Sequence, residues 1–254
     1  MSPAASVPRT ARRSKAEGAT VTPLHPEPPV DDTLGKEGPS KQVAQTEDMD
    51  GPVFEPVHET LPHHPVQMAL KRCADVGLSA LALAGASPAL GLMALAVKLD
   101  SDGPVLYKQV RVGRNGQLFE IFKFRSMYTD AERGGPRWAR SNDTRVTRVG
   151  GLLRRTSLDE LPQLWNILVG DMSLVGPRPE RPVFVSRFRQ NIKDYDLRHV
   201  IRPGLSGWAQ VNGLRGNVSI ESRTECDVFY VRNFSLLLDL RILVRTFSAV
   251  VAGE

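Results

Sequence analysis

Cysteine is nearly absent from this 254-residue chain, which has only Cys73 and Cys226. Neither sits in a metal-ligand spacing, so a cysteine-built zinc site is excluded, and thiols this sparse point to a reducing, cytosol-facing compartment. Aromatic residues make up 6% of the chain and few lie among its basic residues. That removes the stacking platform on which single-stranded nucleic acid is usually bound. Residues 1–66 contain no apolar run, and hence no recognisable signal peptide. Internal repeats and heptads are missing as well.

Charge is unevenly distributed. Residues 1–66 carry six Lys/Arg against ten Asp/Glu, whereas the remaining body carries 27 against 18. A basic body calls for an anionic partner, whether phosphate, membrane surface or nucleic acid. Arginine outnumbers lysine there by 22 to 5. Its planar fork grips phosphate at two points, although codon bias accounts for part of the excess.

Residues 1–66 also hold 11 of the 19 prolines. Such a segment buries too little apolar surface to offset its ordering entropy, and reads as a disordered tail. From Val76 to Val97 no residue is charged. Twenty-two helical residues reach ~33 Å against a hydrocarbon core of ~30 Å. A buried helix of a soluble core is the competing reading, and an uninterrupted run of this length argues against it. Ser87-Pro88 lies near the middle.

Val105 to Phe124 is predicted to form a β-hairpin turning at Arg114-Asn115-Gly116, because Asn and Gly both tolerate positive φ. Residues 125–148 read as loops and short helices. The pattern predicts one helix from Asp159 to Val169, with Gly170 as its stop, and another over Val183–Tyr195. Residues 202–217, rich in Gly and Asn, read as a loop. Leu236–Val251 is amphipathic, with Arg241 and Arg245 on one face. It fits equally an interfacial helix or a packed helix with one wet face. The fold class is α+β, mostly helical.

The chemistry concentrates in residues 154–180, RRTSLDELPQLWNILVGDMSLVGPRPE. Pro162 is tolerated in a first helical turn, which puts Asp159 and Glu160 beside free backbone amides at the positive end of the helix dipole. Alone, such a pair reads as an acidic cap. Arg154 and Arg155 before it and Gly176-Pro177-Arg178-Pro179 after it change that weighting. Two prolines stiffen the backbone of Arg178 and reduce the entropy lost on binding. A rigid arginine near two carboxylates suits a phosphoryl group.

With these motifs in order, residues 68 to the end resemble the bacterial sugar transferase family of monotopic phosphoglycosyl transferases. The resemblance rests on the apolar segment with its central Ser87-Pro88, on Lys-Phe-Arg-Ser-Met at 123–127 and on Thr-Ser-Leu-Asp-Glu-Leu-Pro-Gln at 156–163. It rests further on Gly-Asp-Met-Ser-Leu-Val-Gly-Pro-Arg-Pro at 170–179, Arg-Pro-Gly-Leu-Ser-Gly-Trp-Ala-Gln-Val-Asn-Gly at 202–213, and Asp227, Tyr230 and Asp239-Leu240. It implies transfer of a sugar 1-phosphate from a UDP-sugar to a polyprenyl phosphate in the priming step of exopolysaccharide, capsule or O-antigen synthesis. Asp159 would be the nucleophile that holds a covalent phosphosugar, and Glu160, with Asp159, would hold Mg²⁺. Lys123, Arg125, Arg154, Arg178 and Arg202 would contact the substrate, with Gln210 and Asn212 as further candidates. Residues 180–185, Arg198-His199 and 207–210 look most like members that transfer glucose phosphate.

The close departs modestly from the family, with Phe229, Phe234 and Leu237 where Tyr or Trp are common. Many relatives carry four additional N-terminal spanning helices. This sequence shows none and reads as a short form: tail 1–66, membrane segment 67–100 and cytosolic catalytic domain 101–254. The expected place is the cytoplasmic face of a bacterial inner membrane. The apolar segment is expected to be re-entrant, bending at Ser87-Pro88, because Pro88 interrupts the helix ladder and both flanks are basic. A membrane-anchored basic protein that binds nucleic acid or acts as a scaffold is the alternative. The carboxylates among the arginines oppose it.

Overall fold

The computed structural model describes residue 54 and residues 65–133, 143–216 and 218–252, all within one unit of residues 38–254. Most of the expected tail lies outside these residues. Phe54 departs from that expectation. It is buried, at 7% exposure, in a cluster with Val112, Val185 and Tyr195.

Helix α1 runs from Pro65 to Asp100 and continues through Ser87-Pro88, the place of the expected bend, without a break in the helix. Proline offers no N–H to the carbonyl four residues back, and the Ser87 hydroxyl donates to that same Ala84 carbonyl at 2.8 Å. One stripe of α1 faces the body: Lys71, Asp75 and Ser79, then half-buried Leu83 and Leu90, then Val97. The opposite face exposes Leu78, Leu81, Leu92, Leu95 and Leu99. The most apolar 18-residue window has mean hydropathy 1.9 and is only 6% buried, so α1 is no soluble core helix.

Both ends of α1 are tied to the body. Near its start, Lys71 donates to Asp239 (2.7 Å) and to the Val175 carbonyl (2.9 Å), and Asp75 accepts from the Leu174 amide (3.0 Å). Near its end, Val97 packs with Phe124 and Leu153, and Asp100 accepts from the Val149 amide (3.0 Å).

Strands β1 (Leu106–Val112) and β2 (Leu118–Phe124) form the expected antiparallel hairpin, in register from Leu106↔Phe124 to Val112↔Leu118. Asn115, at φ 54°, turns the tip. Helix α2 (Arg148–Arg155) follows, capped by Thr147, whose hydroxyl accepts from the Gly150 amide.

The single helix expected from Asp159 divides in two. Residues Leu158–Glu160 make a 3₁₀ turn, and α3 spans Gln163–Val169. Pro162 has no N–H for the Leu158 carbonyl, which takes the Leu161 amide instead at 3.3 Å, so the α-type ladder starts only after the proline. Gly170 ends α3 at φ 108°, as expected.

Residues 202–217 are more than a loop. Strand β3 (Ser173–Val175) pairs in parallel with β4 (Gly204–Ser206), and α5 covers Trp208–Val211. The two chains approach so closely that a Cβ on Gly204 would lie 2.0 Å from the Gly176 nitrogen, and only glycine fits. Helix α4 (Pro182–Asn191) stops short of its expected end, where Asp194 takes φ 59° ahead of a 3₁₀ turn over Tyr195–His199. Helices α6 (Ile220–Arg232) and α7 (Leu236–Ala252) complete the fold. Asp239 and Ile242 of α7 face inward, while Leu237, Leu240, Val244 and Phe247 form an exposed apolar stripe.

Candidate active site

The carboxylate pair sits in the 3₁₀ turn between α2 and α3, entered through Ser157 at φ 56°. The two side chains meet different surroundings. Glu160 accepts from Lys123 Nζ of β2 at 2.8 Å and from both terminal nitrogens of Arg178, Nη1 at 3.1 Å. Asp159 is buried and has no hydrogen bond or ion pair among the described residues.

The electrostatics follow. Burial alone would raise the Glu160 carboxyl, but Arg178 and Lys123 outweigh it and hold Glu160 well below the usual carboxylate range. Burial raises Asp159, only partly countered by Lys123. Burial lowers the Lys123 ammonium, against the pull of Glu160. Glu160 is thus a fixed anion, whereas Asp159 is desolvated and uncommitted.

Arg178 is presented by a backbone pinned on every side. The Gly176 amide donates to the Ser206 carbonyl and the Gly204 amide to the Pro177 carbonyl, both at 2.9 Å. Arg198 donates to the Arg178 carbonyl (2.9 Å), and Arg111 to the Pro179 carbonyl (3.2 Å). Behind them lie buried pairs: Arg198 with Asp227 (2.7 Å) and Arg223 with Glu180 (2.9 Å).

These groups line a cavity of about 900 Å³. Of the expected residues it gathers Asp159, Glu160, Lys123, Arg154, Arg178 and Gln210. Arg125 also lines it, but its Nη2 is engaged with Ser101 (2.5 Å to the carbonyl) at the end of α1. Two expected residues lie elsewhere. Arg202 lines a separate small cavity and donates to the Gly170 carbonyl. Asn212 is exposed and bonds the Trp208 carbonyl and Arg245. Glu180 and Arg181 of the glucose-like stretch and Asp227 of the closing motif also line the cavity, as do Arg111 and Arg223, to which sequence reasoning gave no site role. Arg111 and Arg223 are single charged residues more than a hundred positions apart, and no spacing marks them.

A metal ion would find two adjacent carboxylates here. Among the described residues no group of three or more His, Cys, Asp or Glu could hold one. Mg²⁺ commonly takes only one or two carboxylates and completes its six oxygens with phosphate and water, so Asp159 and Glu160 fit that habit.

The family model described as bacterial sugar transferase matches residues 66–253. Among curated proteins, the chain is 44% identical over 207 residues to a UDP-glucose:undecaprenyl-phosphate glucose-1-phosphate transferase of Escherichia coli (strain K12), covering 80% of this chain and 44% of the relative. It is 43% identical over 191 residues to a UDP-N-acetylgalactosamine-undecaprenyl-phosphate N-acetylgalactosaminephosphotransferase of Aeromonas hydrophila, covering 74% and 45%. It is 41% identical over 239 residues to a UDP-glucose:undecaprenyl-phosphate glucose-1-phosphate transferase of Caulobacter vibrioides, covering 90% and 86%. The chain thus spans less than half the length of the first two.

Proposed function

This chain belongs to the bacterial sugar transferase family, and from that premise we propose that it transfers a sugar 1-phosphate from a UDP-sugar to undecaprenyl phosphate through a covalent intermediate on Asp159. The observation that carries the mechanism is the contrast between the two carboxylates. A nucleophile must be free to approach the phosphorus, and of the two carboxylates only Asp159 is not held by Lys123 and Arg178.

In the first step an Asp159 oxygen attacks the β-phosphorus of the UDP-sugar. The bond from that phosphorus to the bridging oxygen breaks, and UMP leaves with the electron pair. In the second step an oxygen of the polyprenyl phosphate attacks the same phosphorus and releases Asp159, giving the sugar diphosphate-linked lipid. Arg178 and Lys123 supply positive charge beside the reacting phosphoryl group, fixed in place before substrate arrives. Mg²⁺ held by Asp159 and Glu160 would neutralise charge on the diphosphate. Glucose is the proposed sugar, as named for the relatives of Escherichia coli and Caulobacter vibrioides.

The reading includes a monotopic seat on the cytoplasmic face of the inner membrane. Because both ends of α1 are tied to one body, a crossing would separate contacts that α1 makes together. The exposed stripes of α1 and α7 supply the apolar surface that would enter the lipid.

The experiment is incubation with a UDP-sugar labelled in its β-phosphate, without acceptor. Wild type should retain the label covalently and release UMP. Asp159→Asn keeps the side-chain size and should do neither. Label retained on the Asn variant would end the assignment of Asp159.

A further inference from the structure

A second basic cavity lies apart from the carboxylates. It has a volume of about 230 Å³ and lies between the hairpin tip and the end of α3, lined by Arg114, Asn115, Gln117, Gly170, Asp171 and Arg202 among others. Two arginines, Arg114 and Arg202, line it, and Arg72 stands behind its Gly170 wall. Arg202 Nε donates to the Gly170 carbonyl at 2.8 Å. Arg72 donates to the Ile167 and Leu168 carbonyls, and its Nη2 lies 3.4 Å from where a Cβ of Gly170 would stand. Arg114 projects from the tip and is exposed.

These bonds all go to neutral carbonyls. Among the described residues none of the three arginines has an ion pair, and the Arg114 side chain and the terminal nitrogens of Arg202 have no hydrogen bond. Asp171 sits in the same wall and accepts from Asn166 at 3.3 Å, so Arg114 and Arg202 leave the lining with an excess of one positive charge. Burial, then the neighbouring charges of Arg114 and Arg72, holds the Arg202 guanidinium below its ordinary value. Capping the end of α3 explains Arg72 and one nitrogen of Arg202. It leaves Arg114 and the rest of Arg202 unexplained.

We propose that Arg114 and Arg202, with Arg72 behind them, form an anion site for a phosphate group, filled by the headgroup of an anionic phospholipid. Arg72 stands one helical turn before Val76, where the uncharged run of α1 begins, and α3 exposes Trp165 and Val169 beside the same Gly170 end. On the monotopic reading above, from which the lipid source follows, this is headgroup depth, where tryptophan is enriched and basic pockets hold lipid phosphates. The volume admits a phosphate and some waters, each of which takes ~30 Å³. The site would seat the enzyme on the membrane without touching the reacting atoms.

The test uses the full chain, extracted in mild detergent and examined by native mass spectrometry after exposure to phosphatidylglycerol, to phosphatidylcholine, or to inorganic phosphate. Wild type should retain one phosphatidylglycerol and no phosphatidylcholine. Arg114→Gln with Arg202→Gln should bind phosphatidylglycerol roughly thirtyfold more weakly, at the usual strength of two arginines near a lipid surface. Arg187→Gln with Lys193→Gln removes equal charge from exposed positions elsewhere and should retain the lipid. Arg114→Gln alone, which breaks no observed contact, guards against misfolding of the double variant. Phosphate bound by wild type and lost in the double variant, with no lipid retained, would keep the site and assign it to a free anion. Equal retention by wild type and both Arg114 variants would overturn the proposal. Separately, wild type that fails to sediment with neutral phosphatidylcholine vesicles would count against the monotopic reading and leave the anion site standing.

Discussion

Arg198 Nη2 donates to the backbone carbonyl of Arg178 at 2.9 Å, from a position that is 2% exposed. The same nitrogen donates to Asp227, and Nη1 to the Tyr195 hydroxyl. Arg178, which lines the carboxylate cavity, is therefore held by a second arginine that does not. Arg198→Met should cost about 3–5 kcal/mol, because Asp227 is left buried without its partner. Pairing it with Asp227→Leu should recover part of that loss in chemical denaturation. No recovery in the double variant would mean the two residues do not act together.

The same pair sets a pH dependence. Burial raises Asp227 from its ordinary 3.8 to about 6, against the pull of Arg198. The folded protein therefore holds this proton more tightly than the unfolded chain does. Its stabilising contribution is full below about pH 4 and is lost as pH rises through 6, a difference of ~3 kcal/mol. Unfolding free energies measured between pH 4 and 6.5 should slope downward from this group. Asp227→Asn should flatten that slope, and an unchanged slope would remove Asp227 as its source.

Arg178 itself should matter to rate more than to folding. Arg178→Gln removes a preorganised donor aimed at developing charge, worth about 10²–10³ in kcat. The Gly-Pro-Arg-Pro backbone and its bonds to Ser206 and Gly204 remain. UMP release assayed beside a thermal melt checks this. Equal losses in both would make Arg178 structural.

How much of this was legible differs by residue. The hairpin was, because Asn115-Gly116 encodes its own turn over a few positions. The β3–β4 pair was not. Three-residue strands about thirty positions apart carry no periodicity, and their pairing depends on Gly176 and Gly204 meeting in space. The buried arginines were hidden for another reason. Charge reads as surface, and Arg198 and Arg223 are inside only because Asp227 and Glu180 are there to meet them. Arg202 belongs to a motif that places it in sequence, while the fold carries it to the other cavity.

Phe54 changes what truncation should do. On sequence alone, residues 1–60 would be dispensable. The Phe54 ring closes a cluster against Val112, Val185 and Tyr195, and the Arg189 guanidinium lies 5.6 Å from its centroid. Removing residues 1–53 should leave stability unchanged. Removing 1–60, or Phe54→Ala, should cost about 3–5 kcal/mol, read as a lower denaturant midpoint. Equal midpoints for the two truncations would show that the ring contributes nothing.

The last expectation is that α1 enters the membrane without crossing it. By length it could cross, since its uncharged run matches the hydrocarbon core. Two sets of contacts oppose that. Lys71 and Asp75 bind the body at one end, and Val97 and Asp100 bind it at the other. A crossing helix would have to give up one set: losing the first leaves Asp239 buried without its ion-pair partner, which costs several kcal/mol, and losing the second uncaps the Val149 amide and exposes Val97. Ser87 satisfies the carbonyl that Pro88 frees, and so makes a proline tolerable where water is absent. The measurement is a single cysteine at position 60, in a chain whose Cys73 and Cys226 are replaced, probed on intact cells with an impermeant thiol reagent. The wild-type segment should stay unlabelled until the cells are opened. Ser87→Leu with Pro88→Leu restores the N–H that proline lacks and raises the hydropathy of the run, and should shift part of the population to outside labelling. If position 60 labels from outside with Ser87 and Pro88 intact, α1 crosses the membrane and the monotopic reading fails.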